Sequence, residues 1–207
     1  MQSELLNLAI VVGSIRAGGF GDRIGHWFLV EADRHGGFSA DLIAVHAFEG
    51  IGQTPAGSNQ IVGDFLSRIE RADAIAVVTP EYNHGYPAAL KQAIDQGYSE
   101  WHAKPIGFVS YGGMSGGLRA VEQLRQVFSE FHAVTMRDTV SFHRVDRELD
   151  AAGMPRDLAG ASAAAQTMLQ ELAWWGATLR QARASRPYVF SEPRRPDRPA
   201  PLLPSPN

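Results

Sequence analysis

The sequence has no cysteine and only two lysines, Lys91 and Lys104. The absence of cysteine excludes disulfides, thiolate nucleophiles and cysteine-ligated zinc or iron–sulfur sites. No run approaches the roughly 18 apolar residues that a membrane-spanning helix needs. The N-terminal residues show no basic region followed by an apolar stretch and a small-residue cleavage site. We therefore expect a cytoplasmic protein with no membrane partner.

The sequence also lacks a strong net charge. It has 19 Lys and Arg against 22 Asp and Glu, a formal net charge of −3. No global field therefore attracts nucleic acid, and no basic stripe interleaved with aromatic residues is present. A chain of 207 residues with 44% hydrophobic and 20% charged residues is long enough for one globular domain with a sizeable core. These properties predict no nucleic-acid partner.

Short apolar runs alternate with helical patterns along the chain. The runs predict five strands, at 5–12, 40–45, 73–79, 105–111 and 134–142. Helical spacing of apolar residues predicts helices at about 22–35, 61–69, 87–96, 121–131 and 158–183. This alternation predicts an α/β fold, a doubly wound parallel sheet with helices on both faces. Arg137 and Asp138 interrupt the fifth run, which indicates an edge strand.

The C-terminal end differs in composition from the rest of the chain. Residues 187–207 contain seven of the twelve prolines and few apolar residues. We therefore divide the chain into a domain at 1–186 and a proline-rich tail at 187–207. Such a segment cannot build its own core, which favours a disordered extended tail. The alternative is an arm that lies across a partner subunit, anchored by its aromatic residues.

The loop after the first strand has the features of an anion site. Residues 13–21 read GSIRAGGFG. Backbone N–H groups in a turn that opens a helix favour an anion, and the glycines permit its close approach. Ser14 adds a hydroxyl group, and Arg16 can make charge-assisted hydrogen bonds. The loop matches neither the dinucleotide fingerprint nor the Gly-Lys-Ser/Thr of a nucleoside-triphosphate loop. We therefore predict that this loop binds the phosphate group of a flavin.

Two further loops at predicted strand ends suit a planar ring. Residues 79–87, TPEYNHGYP, lie between two prolines, so the loop is stiff and Tyr82 or Tyr86 can form a side wall. Residues 110–117, SYGGMSGG, leave bare backbone against which a flat ring can lie. Ligands of open parallel sheets bind beyond the carboxyl ends of the strands, so we expect one shared site. No His or acid lies at metal-ligand spacing from His84, and no metal is expected.

Together the three loops resemble the NADPH-dependent FMN reductase family of flavodoxin-like proteins. The resemblance lies in GSIRAGGFGDRIGHW at 13–27, TPEYNHGYPAALKQAID at 79–95, YSEWHAKP at 98–105 and SYGGMSGGLRAVEQLR at 110–125. It extends over roughly residues 5–183 in the expected order. Gly85 replaces a common Ser or Thr, and Gln92 replaces a common Asn. A serine is also often found where Gly19 lies, although an Arg- and Gly-rich subgroup of the family has the present pattern. The acceptor therefore cannot be inferred from the family.

The resemblance implies a five-stranded sheet in the order 2-1-3-4-5 with bound FMN, and NADPH or NADH as electron donor. It implies a homodimer or homotetramer, with the helix after Pro87 at the subunit interface near the flavin. By motif match the phosphate is held by Ser14 and Arg16, with Gly19, Phe20 and Gly21 nearby. The flavin ring is flanked by Pro80, Glu81, Tyr82 and Asn83 on one side and by Ser110, Tyr111, Gly112 and Gly113 on the other.

The implied function is that of an FMN-dependent NAD(P)H oxidoreductase. Hydride passes from the nicotinamide through FMN to a quinone, an azo compound, free flavin or a metal oxyanion. The flavin carries this chemistry, so no catalytic side chain is predicted. The N–H groups of Gly112 and Gly113 are candidates to stabilise negative charge on the ring. His84 and Arg119 are candidates to bind the nicotinamide nucleotide.

Two other functions stay open at this point. One is a flavodoxin-type electron carrier, although such carriers tend to be strongly acidic and this sequence is nearly balanced in charge. The other is a flavin-binding protein without turnover of its own. Steady-state oxidation of NAD(P)H with a quinone separates the enzyme from both.

Overall fold

A computed structural model describes residues 5–48 and 58–189, which contain a five-stranded sheet. The strands are β1 (Leu6–Val12), β2 (Phe38–Ala44), β3 (Ala74–Pro80), β4 (Pro105–Tyr111) and β5 (Val134–Phe142). Their order is β2-β1-β3-β4-β5, and every neighbouring pair is parallel. The predicted fold class and strand order are confirmed.

Six helices connect or follow these strands within the described residues. They are α1 (Phe20–His35), α2 (Ser58–Arg71), α3 (Ala88–Ile94), α4 (Leu118–Glu130), α5 (Val145–Glu148) and α6 (Leu158–Ser185). The short helix α5 was not predicted. Residues 46–59 are rich in Gly, Pro, Ser and Asn, which predicts a loop; this prediction is partly wrong, because a 3-10 turn occupies Val45–Phe48 and α2 already begins at Ser58. The remainder of that loop, 49–57, lies outside the described residues.

The sheet separates two apolar cores. On one face α1 and α6 bury residues such as Trp27, Phe28 and Met168. On the other face α2, α3 and α4 bury residues such as Phe65 and Phe128. Helices therefore cover both faces, as predicted.

Burial along the strands follows the sheet order. β3 and β4 are buried along their whole length, whereas β2 and β5 are partly exposed. The partial exposure of β5 agrees with its position at one edge of the sheet. That position explains why Arg137 and Asp138 are tolerated inside this strand.

Residues at the C-terminal end of the described chain return to the body of the protein. α6 ends at Ser185, and the hydroxyl group of Tyr188 lies 3.2 Å from Nδ1 of His132. The rest of the predicted tail, 190–207, lies outside the described residues. Within 5–48 and 58–189, no helix is both long and apolar enough to cross a membrane.

Lys104 lies just before β4, at the sheet edge opposite the carboxyl ends of the strands. It is 4% exposed, and its ammonium group donates hydrogen bonds to the carbonyl groups of Ile69 and Glu70 at 2.6 and 2.7 Å. Both carbonyls belong to the last turn of α2, where acceptors lack partners within the helix. Burial, reinforced by the charge of Arg183, lowers the pKa of Lys104 to about 7.

We expect Lys104 to make the free energy of unfolding rise with pH between about 7 and 10.5. Because its pKa is lower in the folded than in the unfolded state, the unfolded chain binds more protons in this window. The slope approaches ~1.4 kcal/mol per pH unit in the middle of the window. Urea unfolding at about pH 7.5 and about pH 9.5 should show wild type gaining stability relative to Lys104→Met. Equal changes in the free energy of unfolding of the two proteins would contradict a lowered pKa of Lys104.

Candidate functional site

A cleft of about 200 Å³ opens where the loops after β1, β3 and β4 meet. The residues that line it are Ser14, Arg16, Phe20, Pro80, Glu81, Tyr82, Tyr111, Gly112 and Val145. All of these except Val145 were predicted from the sequence to contact the cofactor. The cleft lies at the carboxyl ends of neighbouring parallel strands, where ligands of open α/β sheets bind.

The loop after β1 presents an uncapped helix N-terminus to the cleft. α1 begins at Phe20, and its N-cap residue Gly19 makes no side-chain hydrogen bond. The first N–H groups of a helix have no acceptor within the helix, and its dipole favours an anion there. The carboxylate of Asp22 is turned back onto the N–H of Gly18, at 2.5 Å. The N–H groups of the first turn of α1 suit an anion such as phosphate, whereas the Asp22 carboxylate occupies the Gly18 N–H and adds a negative charge nearby.

Arg16 supplies the positive charge at this position. It is exposed, and its guanidinium carbon lies 5.4 Å from the centre of the Tyr82 ring. Arg16 therefore extends from the first loop to the second and lies at the boundary between them. An exposed guanidinium group keeps donors available for a charge-assisted hydrogen bond to a phosphate.

Beneath the loop after β1, Ser14 and Tyr111 join β1 to β4. Ser14 is 2% exposed, and its hydroxyl accepts a hydrogen bond from the N–H of Arg16 at 3.2 Å. The Tyr111 hydroxyl is hydrogen-bonded to Ser14, while burial raises the pKa of Tyr111 above its ordinary value. A Cβ atom on Gly21 would lie 2.8 Å from both Ser14 Cβ and Tyr111 Oη. Only glycine fits beside this pair.

The loop after β3 folds into a tight hairpin. Tyr82 and Gly85 pair through two backbone hydrogen bonds of 2.8 and 3.0 Å. The two residues at its tip, Asn83 and His84, have positive φ angles of 50° and 70°. Two such residues in succession are typical of a type I′ turn. The hairpin places Tyr82 at the cleft, whereas Tyr86 packs against the core formed with α2, α3 and α4.

The loop after β4 is held by buried hydroxyl groups. Ser110 is fully buried, and its hydroxyl and that of Ser141 both donate to the carbonyl of Gly116 at 2.8 Å. The N–H of Gly112 donates to the carbonyl of Phe142 at 3.2 Å. The prediction that the Gly112 N–H is available to a flavin ring is therefore wrong, because the edge strand β5 already accepts it. The hydrogen bonds of the described residues assign no acceptor to the N–H of Gly113.

Several predicted site residues do not line the cleft. Among the described residues these are Gly19, Gly21, Asn83, Ser110, Gly113, His84 and Arg119. Gly21 and Ser110 instead shape the loops from below. His84 is exposed at the hairpin tip, where its carbonyl accepts a hydrogen bond from the side-chain amide of Gln123 at 3.0 Å.

Sequence reasoning missed Val145, which lies in the short helix α5 after β5 and lines the cleft. The Val145 N–H donates to the carbonyl of Gly112, and the Arg144 N–H donates to that of Gly113. The glycine loop thus holds α5 against the cleft. A single valine after an edge strand has no recognisable pattern, so the sequence contains no signal for this contact.

A larger cavity, of about 490 Å³, lies between α2 and the strands β1 and β2. It is not at the carboxyl ends of the strands. Its charged groups are largely satisfied, since Arg68 pairs with Asp41 at 2.5 Å and donates to the carbonyl of Leu42 at 2.9 Å. The candidate ligand site is therefore the cleft of about 200 Å³, where the first turn of α1 and the exposed Arg16 converge.

The strand order defines a flavodoxin-like fold, and the cleft lies at the carboxyl ends of its strands, where sheets of this kind bind ligands. The profile of the NADPH-dependent FMN reductase family matches residues 6–146. The chain belongs to this family.

Relatives in several organisms support this assignment. An NAD(P)H-dependent FMN reductase of Saccharomyces cerevisiae is 60% identical over 62 residues, which are 30% of this chain and 32% of that protein. A quinone reductase of Pseudomonas putida is 32% identical over 138 residues, 60% of this chain and 70% of that protein. The region matched in the yeast protein is about a third of that protein's length.

Solved structures agree on the fold. The flavoenzyme NAD(P)H:(acceptor) oxidoreductase FerB of Paracoccus denitrificans superposes with a TM-score of 0.63 at 23% identity. The superposition covers 84% of this chain and 98% of that one. At this identity the likeness shows the fold alone.

Proposed function

We propose that this protein is an FMN-dependent NAD(P)H oxidoreductase that reduces a small acceptor such as a quinone or free flavin. The observation that carries the proposal is the convergence of an uncapped helix N-terminus, Arg16 and a stiff aromatic loop on one cleft. When bound, FMN supplies the transfer of hydride from the nicotinamide and of electrons to the acceptor. The names of the yeast and Pseudomonas relatives support both kinds of acceptor.

In this proposal the residues of the first loop hold the phosphate. The N–H groups at the start of α1 and the guanidinium group of Arg16 donate to its oxygens. Ser14 lies at the floor of the loop, where its hydroxyl fixes the Arg16 backbone through a 3.2 Å hydrogen bond. Gly19 and Gly21 keep the backbone clear of side chains at this turn.

The second and third loops hold the ring. Pro80, Glu81 and Tyr82 form one wall, and Tyr111 and Gly112 form the other, with Val145 adding an apolar contact. Asn83 and Ser110 support these walls from outside the cleft. The N–H of Gly113 has no acceptor among the described residues and follows Gly112 of this wall, so it is our candidate donor from the glycine pair. No side chain needs to act as an acid or base.

The proposal also includes a homodimer or homotetramer in the cytoplasm. A cleft of about 200 Å³ is smaller than the roughly 300–1,000 Å³ of common ligand pockets. A second subunit placed over the rim would complete the enclosure. Met114, in the loop after β4, and Leu118, at the start of α4, are apolar side chains that are 80% and 44% exposed. Residues 1–186 form the FMN-binding domain in this proposal, and 187–207 its tail.

Absorption spectroscopy tests the proposal. Purified protein is mixed with FMN, separated from free flavin and then treated with NADPH without oxygen. We expect retained yellow colour and bleaching of the visible flavin band, followed by steady-state NADPH oxidation when a quinone is added. Retained FMN that NADPH does not bleach would favour an electron carrier. Protein without bound flavin after separation would overturn the proposal.

A further inference from the structure

Glu81 is a nearly buried carboxylate in the wall of the cleft. Its side chain is 6% exposed, and it forms an ion pair with Arg119, which is 49% exposed. One carboxylate oxygen accepts a hydrogen bond from the Arg119 guanidinium group at 2.8 Å. The other accepts one from the Arg119 backbone N–H at 3.2 Å. Both oxygens are thus held by the first turn of α4.

This ion pair joins the two loops that form the walls of the ring site. Glu81 follows β3, while Arg119 follows the glycine loop after β4. The N–H of Glu81 also donates to the carbonyl of Tyr111 at 3.0 Å. Burial alone raises the pKa of Glu81, but hydrogen bonds from Ser115 and Arg119 outweigh it and leave the pKa lowered. The carboxylate is therefore charged at neutral pH.

The two charges balance each other at the cleft. Reduction of a bound flavin adds electron density to the ring, so a nearby negative charge opposes it and a positive charge favours it. A close pair of opposite charges contributes little net potential at the ring. Either charge left alone acts at full strength, and the partly desolvated wall screens it less than bulk water does.

We propose that Glu81 and Arg119 are positioning residues that set the reduction potential of the bound flavin by cancelling each other's charge. The inference rests on the proposed FMN site, because it needs the ring to lie against the wall that Glu81 forms. Arg119, which the sequence suggested as a contact for the nicotinamide nucleotide, here serves as the counter-charge of Glu81.

The test is a set of charge-removing variants of the FMN-loaded protein. The measured quantity is the ratio of the affinities for reduced and oxidised FMN, obtained from the midpoint potential. We expect Glu81→Gln to raise this ratio and Arg119→Gln to lower it, each by roughly tenfold, as one unpaired charge near the ring predicts. A tenfold change corresponds to a shift of about 30 mV for a two-electron couple.

Two further variants separate charge from shape. The double variant Glu81→Gln with Arg119→Gln is expected to return to within roughly threefold of wild type, because it is neutral again. Arg119→Lys keeps the charge and should also stay near wild type. Arg137→Gln serves as the control for loss of one positive charge, since Arg137 is 88% exposed on the edge strand β5.

The outcomes are distinct. Shifts of opposite sign in the two single variants, restored in the double variant, support the inference. Shifts of the same sign, or potentials equal to wild type, overturn it. If Glu81→Gln does not fold, Arg119→Gln against Arg119→Lys decides alone, because Arg119 is half exposed. Wild-type protein that binds no FMN would overturn the proposed function, whereas normal FMN binding with unmoved potentials overturns only this inference.

Discussion

Arg16→Ala is expected to weaken FMN binding by about ten- to a hundredfold while leaving the fold intact. A hydrogen bond to a charged group contributes roughly 1.5–3 kcal/mol, and 1.4 kcal/mol corresponds to a tenfold change in affinity. Arg16 is exposed, its guanidinium group contacts the Tyr82 ring, and its backbone hydrogen bond to Ser14 is kept in the variant, so the free energy of unfolding should change little. Quenching of flavin fluorescence during titration measures the dissociation constant.

The matched control for Arg16 is Arg137→Ala. Arg137 is also an exposed arginine, 88% accessible, but its partner is the adjacent Asp138 on β5. It lies outside the cleft, so its removal changes the net charge equally without touching the site. A similar loss of affinity in both variants would mean that Arg16 acts through general electrostatics, which contradicts the phosphate assignment.

Gly21→Ala is expected to destabilise the protein by about 1–3 kcal/mol and to weaken FMN binding as well. The added methyl group would lie 2.8 Å from Ser14 Cβ and Tyr111 Oη, closer than van der Waals contact permits. Neither neighbour can retreat easily, because Ser14 and Tyr111 are 2% and 6% exposed. The start of α1 must therefore move away from β1, and the phosphate donors move with it. Urea unfolding and FMN titration measure the two effects.

Gly63→Ala provides the comparison. Gly63 also lies in a helix, α2, but a Cβ atom there would meet no atom within 4 Å. Alanine stabilises an exposed helical position by roughly 0.5–1 kcal/mol relative to glycine. The same substitution should thus have opposite signs at the two positions. Stabilisation by Gly21→Ala would show that Gly21 is not packed tightly against Ser14 and Tyr111.

The two strands β4 and β5 show how much of the fold the sequence predicts. Their predicted bounds, 105–111 and 134–142, agree with the structure. A short apolar run is a local signal: it is continuous in β4, which is buried along its whole length, and interrupted by Arg137 and Asp138 in β5, which is partly exposed at the sheet edge. The start of α2 and the helix α5 were missed because their patterns are short and polar residues dominate them.

The candidate site, like the fold, was predicted only in part. The cleft residues Arg16, Tyr82 and Gly112 were found because loops rich in glycine, proline and aromatic residues follow apolar strands. The side-chain contacts between these loops were not predicted. The contact of Ser14 with Tyr111 and that of Glu81 with Arg119 join residues 97 and 38 positions apart. No sequence spacing predicts such pairs.

The sequence by itself determined the class of fold, the order of its elements and the three loops that line the cleft. These depend on local patterns: apolar runs, helical spacing and turn residues. Only the tertiary structure decided which polar groups of those loops remain available to a ligand. In that structure the N–H of Gly112 donates to the carbonyl of Phe142, the hydroxyl of Ser110 is buried, and Arg119 forms an ion pair with Glu81. The physical reason is that hydrogen bonds and charges are satisfied by neighbours in space, which the packing of distant strands and helices selects.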